Sequence, residues 1–179
     1  MTLQDKYNFA ASNIGDINEH IPTLKIYGEK CKHITEFGVR SIISTWAFLY
    51  AQPDTLVSID IVDPIQHGSD INDVYKLKGR TDFKFIKADT TKIKIEQTDL
   101  LFIDTLHTEN QLKKELEIHS GNVNKYIILH DTRSFWDEGE NGGGARGLKY
   151  AVEPFILYSE WKIHEKFDNN NGLMILCKK

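Results

Sequence analysis

Residues 99–132 read DLLFIDTLHTENQLKKELEIHSGNVNKYIILHDT, and this stretch sets the architecture. Leu100 to Asp104 (LLFID) is a short apolar run that stops at a carboxylate, and Tyr126 to Asp131 (YIILHD) repeats the form. Runs without a polar face are covered on both sides, as the strands of parallel sheets are. Between them, Thr108 to Ser120 has helical spacing. Leu112 and Leu116 share a face, Thr108 and Gln111 make a capping-box pair, and Gly121 supplies the C-terminal cap. Strand, helix and strand in this order form the crossover unit of a parallel sheet.

The same alternation extends in both directions. Further strand-like runs lie at His33 to Gly38 (HITEFG), Leu56 to Asp60 (LVSID) and Phe83 to Ile86 (FKFI). Helical segments are expected at Ser44 to Ala51, stopped by Pro53, and at Ile71 to Leu77, ended by Gly79. Asp16 to Lys30 reads as a helix broken or kinked at Pro22. Beyond the last run comes a loop rich in glycine and acid, Thr132 to Ala145, and then an amphipathic helix carrying Leu148, Val152 and Phe155, kinked at Pro154. Trp161 to Phe167, a DNNNG turn at Asp168 to Gly172, and Leu173 to Cys177 form a closing β-hairpin. The pattern is that of a sheet wound in both directions, whose ligands bind at the C-terminal strand ends.

Composition narrows the function classes. The 179 residues suit a single domain spanning 1–179, with residues 1–31 as an N-terminal helical extension. With 22 basic and 26 acidic side chains the net charge is −4, so no basic nucleic-acid arm is present and nucleic acid is not an expected partner. No apolar stretch approaches the roughly 18 residues of a membrane span. Met1 to Ala10 lacks a basic start followed by an apolar core, so a cytoplasmic protein is expected. Cys31 and Cys177 stand far apart with no CxxC, which excludes a disulfide framework or a zinc knuckle. Trp136, Tyr150 and Tyr158 are candidates for a homo-oligomer interface, or are ordinary packing residues.

Candidate chemistry gathers at the strand ends. In Glu36-Phe-Gly-Val-Arg40 the glycine permits a sharp turn into a helix whose free N–H groups suit a carboxylate or phosphate. Asp60 lies 22 positions after Gly38, where an acid accepts from a nucleotide ribose; the plainer reading is a turn cap. Asp89 accepts from an adenine amino group or caps a helix. Asp104 and Asp131, on neighbouring strands, are close enough to share a hard cation or a proton, with His107 and His130 beside them as general bases. Gly142, Gly144 and Gly147 spell GxGxxG, but too far past the strand to be the dinucleotide turn. That segment reads as a mobile, substrate-facing loop, with Asp137, Glu138, Glu140, Trp136 and Arg146 either lining an acceptor pocket or merely solvated.

The assembled order, EFGVRxxxST, SID, KADT, DLLFIDxxHTxxQLxxEL, YIILHDT and a glycine-rich segment leading into GLKYAVEPF, resembles the class I S-adenosylmethionine (SAM)-dependent methyltransferases. Within them it is similar to the small branch related to cephalosporin hydroxylase-type proteins and rhamnosyl O-methyltransferases. The resemblance implies a Rossmann-like three-layer α/β/α sandwich with a seven-stranded, mostly parallel sheet in the order 3-2-1-4-5-7-6, the last strand antiparallel. It places Glu36, Gly38 and Ser44 at the methionine end of the cofactor, Asp60 at the ribose and Asp89 at the adenine. By the same likeness Asp104 and Asp131 hold Mg²⁺ against the acceptor oxygens. The implied activity is SAM-dependent methylation of a hydroxyl on a small acceptor, a sugar or a secondary metabolite. In that reading Asp104 and His107, then His130, carry the catalysis. Two departures stand out: Ile42 occupies a position where the family commonly has glycine, and His130 replaces an acid that some relatives carry. A β-branched Ile42 is expected to crowd the cofactor's carboxylate end. The rival expectations are a non-catalytic binding module and a nicotinamide-dependent oxidoreductase.

Overall fold

The computed structural model describes all residues, Met1–Lys179. Seven strands make one sheet: β1 (His33–Phe37), β2 (Thr55–Asp60), β3 (Asp82–Lys87), β4 (Thr98–Ile103), β5 (Val123–His130), β6 (Trp161–Phe167) and β7 (Leu173–Lys178). Their spatial order is β3-β2-β1-β4-β5-β7-β6, with β7 antiparallel to both neighbours and the remaining pairs parallel. This is the order the resemblance implies. Phe37 sits opposite both Ile59 and Ile103, and Ile103 opposite Leu129. The strands therefore finish level, and Gly38, Asp60, Asp104 and Asp131 share one edge.

Successive side chains of a strand point to opposite faces, and here both faces are dry. Leu100 and Phe102 enter a core with Ala10, Leu24, Phe48 and Val74; Leu101 and Ile103 enter a second core with Leu112, Leu116 and Val152. The first is covered by α1 (Leu3–Ser12), α2 (Ile21–Gly28), α3 (Ile43–Ala51) and α4 (Ile71–Leu77), the second by α5 (Glu109–His119) and α6 (Lys149–Tyr158). No helix is long and apolar enough to cross a membrane.

Four local expectations are corrected. Helix α1 falls inside the expected helical extension of residues 1–31 but at a stretch given no helix of its own: Thr2 and Asp5 form a full capping box, while Ala10 is its only buried residue, so the apolar period is faint. Pro22 starts α2 instead of breaking a longer helix, because an absent N–H costs nothing in the first turn. Only half of the expected box at α5 forms: Thr108 accepts from the Gln111 N–H, while the Gln111 side chain turns to Thr90 and Glu115. Gly121 is no left-handed cap; it sits in a 3-10 turn, Ser120–Asn122, that runs directly into β5.

Candidate active site

A cavity of about 650 Å³ opens at the C-terminal strand ends, bounded by Gly38 and Ser44, by Asp60 and Asp89, and by Asp104 and Asp131. The chain reverses over its floor at Gly38, whose φ of 83° lets β1 turn against the carbonyl of Asp104. Val39 and Arg40 then donate their N–H groups to one oxygen of Asp60, at 2.7 and 2.9 Å, and Val62 donates to the other at 2.9 Å. Asp60 thus pins the turn, as the plainer reading expects, and also lines the cavity.

Glu36 is placed differently from its expected role. It is fully buried and does not line the cavity. Ser44 and Thr45 of α3 and Ser58 of β2 donate hydroxyl hydrogen bonds to it at 2.6, 2.8 and 2.5 Å. Burial pushes its carboxyl up, these donors and then the nearby Asp104 charge modify the effect, and the outcome is about 7. Glu36 is a strut that fixes α3 against β1 and β2. At the other end, Asp89 reaches the cavity while accepting from Thr91 and pairing with Lys92 at 2.8 Å. Lys92 first, then Thr91, draws its carboxyl down to about 2. Thr90, Thr105 and Gln111, all on the wall, converge on the buried Glu115, which the sequence reading did not single out.

Ile42 does not crowd the cavity. Its backbone is left-handed (φ 65°, ψ 28°) at the N-cap of α3, and its side chain, 2% exposed, packs into the core and is absent from the cavity wall. The departure from glycine therefore strains the backbone and leaves the cavity open. For an L-residue that strain is roughly 1–2 kcal/mol, set against the roughly 2–5 kcal/mol that truncating a buried isoleucine costs. Ile42→Gly and Ile42→Ala are both expected to destabilise, and Gly less than Ala by about 1 kcal/mol. Chemical denaturation of the pair checks this; a less stable glycine variant would exclude the strain.

The end of the cavity at β4 and β5 is a carboxylate–imidazole cluster. His107 Nε2 lies 3.2 Å from Asp104 Oδ1 and 3.1 Å from Asp131 Oδ2. Its Nδ1 meets Glu140 Oε2 at 2.9 Å, and its ring stacks on Phe135 with centroids 4.9 Å apart. His130 Nδ1 faces the same two carboxylates at 3.2 and 3.4 Å, and its Nε2 faces the Asp16 carbonyl at 3.1 Å. Every ring nitrogen thus faces an oxygen acceptor. Burial pulls His130 down, but Asp104 and then Asp131 outweigh it and raise it to about 10. His107 is raised by the same balance, burial against Asp104 and Asp131. Asp104 is pushed up by burial yet held well below the usual carboxylate range by the two imidazoles.

His107 lines the cavity; His130, 1% exposed, does not, so of the two expected bases only His107 is within reach of a ligand. Asp131, at φ 57° and 5% exposed, keeps Oδ1 buried without a partner. Of the acids in residues 132–145 only Glu140 reaches the cavity, since Asp137 pairs with Lys149 at 3.3 Å. Nor is that loop untethered. Gly139 bonds to Ala145, Glu140 to the His107 carbonyl, and Arg146 pairs with Glu109. Asp16 and Arg40, paired at 3.0 Å on the wall, complete the set that sequence reading missed, because no spacing rule joins residues so far apart in the chain. A cation fits the unpartnered Asp131 oxygen, but the donors here are mixed nitrogen and oxygen. Asp104 and Asp131 are the two carboxylates that would hold a hard cation keeping part of its water shell, with the His107 nitrogen beside them.

No protein-family model matches the chain, and no curated protein does. Solved structures do. The O-methyltransferase TomG of Streptomyces achromogenes, in complex with SAM, superimposes with a TM-score of 0.68 at 12% identity, covering 99% of this chain and 89% of that one. A Bacillus cereus O-methyltransferase in complex with S-adenosylhomocysteine (SAH) gives 0.67 at 14% identity, with 99% and 90% coverage. The SAH-bound methyltransferase PaMTH1 of Podospora anserina gives 0.65 at 13%, with 99% and 87%. The chain has the Rossmann-like fold of the class I SAM-dependent methyltransferases.

Proposed function

We propose that this protein transfers a methyl group from SAM to a hydroxyl of a small acceptor. The observation that carries the reading is the content of one cavity: a glycine turn with Asp60 and Asp89 at one end, and the Asp104–His107–Asp131 cluster at the other. The fold it shares with SAM- and SAH-bound O-methyltransferases supports the same cofactor.

The sulfonium is already electrophilic, so alignment and removal of one proton are the tasks left to the protein. An acceptor hydroxyl donating to one of the carboxylates on the cavity wall, Asp104 or Asp131, is held beside the cluster. Its oxygen attacks the methyl carbon, the carbon–sulfur bond breaks to leave SAH, and the hydroxyl proton passes to the carboxylate that held it, beside His107. His107 is the imidazole in contact with that path, held in orientation by Glu140 and Phe135. Asp104 and Asp131 are the residues that would hold a divalent cation here, and such an ion would lower the acceptor hydroxyl's pKa.

Four carboxylates, Asp16, Asp104, Asp131 and Glu140, surround the acceptor end. They favour an uncharged hydroxylated molecule, such as a sugar or secondary metabolite, and oppose a polyanion such as nucleic acid. The non-catalytic reading loses its main support now that Ile42 turns into the core.

Calorimetric titration with SAM, SAH and NAD tests the proposal. Saturable binding of SAM and SAH with none of NAD is expected. Failure of both methyl-cycle ligands, or preference for NAD, would overturn it.

A further inference from the structure

We infer that Glu115 is a positioning residue for the cofactor's base: it holds the Gln111 amide with its nitrogen turned inward, so that the amide oxygen faces the cavity beside Asp89 and accepts from the exocyclic amino group of an adenine. Glu115 is wholly buried, yet three residues of the cavity wall converge on it. Thr90 donates its hydroxyl to Oε1 at 2.6 Å, Gln111 Nε2 donates to the same oxygen at 2.8 Å, and Thr105 donates to the two oxygens at 3.0 and 2.9 Å. A buried carboxylate keeps such donors because leaving it unpaired is costly. Gln111 and Glu115 stand four positions apart on α5, and therefore on one face of it.

Counting donors and acceptors leaves the amide one orientation. The single Thr90 hydroxyl hydrogen goes to Glu115, so the Thr90 oxygen receives the second Gln111 N–H, at 3.3 Å. Both amide hydrogens of Gln111 are thereby used. A flipped amide would set its oxygen 2.8 Å from the Glu115 carboxylate with no hydrogen between them. The half-formed capping box has the same cause: the Gln111 side chain that would close it is drawn to Glu115, and the Thr108 N–H donates to the Leu106 carbonyl at 2.9 Å instead. What Gln111 presents to the cavity is an acceptor, and Asp89, one residue before Thr90, is another. Two acceptors match an amino group and oppose a carbonyl oxygen in its place. The exposed side chains of Ile61 and Leu106 supply apolar surface on the same cavity wall for the faces of a flat ring.

Base selection of this kind rests on the proposed cofactor and adds to it the group that is read. Calorimetric affinities for SAH and for S-inosylhomocysteine, whose base carries an oxygen where adenine carries the amino group, are compared in the wild type, Gln111→Leu and Glu115→Gln, with adenosine and inosine titrated alongside. The expected wild-type preference for SAH is about 10-fold or more, narrowing to about threefold or less in both variants. Glu115→Gln keeps the side chain's size but lets the Gln111 amide turn over, so lost base preference with SAH still bound is the signature of positioning. An equal fall in affinity for both ligands would leave Glu115 a structural role alone and overturn the inference. A ratio untouched by Gln111→Leu would overturn it too, since Asp89 would then read the base unaided. If Glu115→Gln does not fold, Thr90→Val releases one Gln111 N–H and must narrow the same ratio; an unchanged ratio there decides against positioning. SAH binding with no preference over the inosine analogue sinks the base selection and leaves the methyl-donor reading intact, whereas preference for adenosine over inosine without SAH binding does the reverse.

Discussion

Gly38→Ala is expected to cost more than about 4 kcal/mol of stability, in the range reserved for a named structural conflict, and to abolish SAH binding with it. A Cβ at this position would lie 1.9 Å from the carbonyl oxygen of Asp104 and 2.7 Å from its carbonyl carbon. Neither atom can give way alone: the Asp104 N–H donates to Phe37 at 2.9 Å and the Gly38 N–H to Ile59 at 3.0 Å, so the turn, β4 and β2 would have to part together. The φ of 83° adds its own penalty. Gly142→Ala provides the control, because that glycine also has positive φ (60°) but nothing within 4 Å of a new Cβ. It should lose only about 1 kcal/mol. Urea unfolding of the two variants, with SAH titration, decides the point; equal losses would mean that dihedral strain, and not the collision with Asp104, sets the demand for glycine.

Glu36→Gln should reverse its effect with pH. The folded carboxyl titrates near 7 against an ordinary value of 4.5, because burial disfavours its charge more than the Ser44, Ser58 and Thr45 hydroxyls favour it. Between those values the folded state binds more protons than the unfolded one, so stability falls as pH rises. The contribution is fully present below pH 4.5 and lost once pH has risen through 7, a swing of about 3 kcal/mol. Glutamine keeps hydrogen-bonding capacity and cannot ionise. The difference between the variant and the wild type should therefore move in favour of glutamine by about that amount between pH 4 and pH 8.5, in denaturation curves at each pH. A constant difference would show that Glu36 stays ionised, or stays neutral, across the window.

The sheet was legible because its strands are short, apolar on both faces and separated by helical periods, and Leu100 to Ile103 divide between the two cores as that pattern requires. The strand-end acids were legible for the same reason: a chain that must turn there exposes whatever residue comes next. Direction was not. Glu36 and Asp60 were recognisable as acids beside a glycine turn, yet one faces wholly inward and the other spends its oxygens on the turn itself. Glu140 was recognised only as one of several loop acids, since its pairing with His107 spans 33 positions without any periodic signal. Helix α1 hid behind its own polarity, and Pro22 misled because a helix start and a helix break share the same residue.

The placement of β7 has a consequence for the order of assembly. This last strand inserts between β5 and β6 and pairs Leu173 with His130, so the strand that carries His130 and leads into Asp131 lacks one of its two neighbours until β7 is in place. The hairpin turn ahead of β7 then clasps the N-terminal segment across the whole sequence: His20 meets the Asn169 carbonyl 149 residues away, and Asn170 bonds Gly15 across 155. The wall carrying Asp16 closes by the same clasp. Contacts of such separation form late and slowly, so ligand binding at this cavity reports on β7 and its turn being in place, and a nascent or clipped chain that holds only β1 to β5 has the strand-end side chains without the closed cavity.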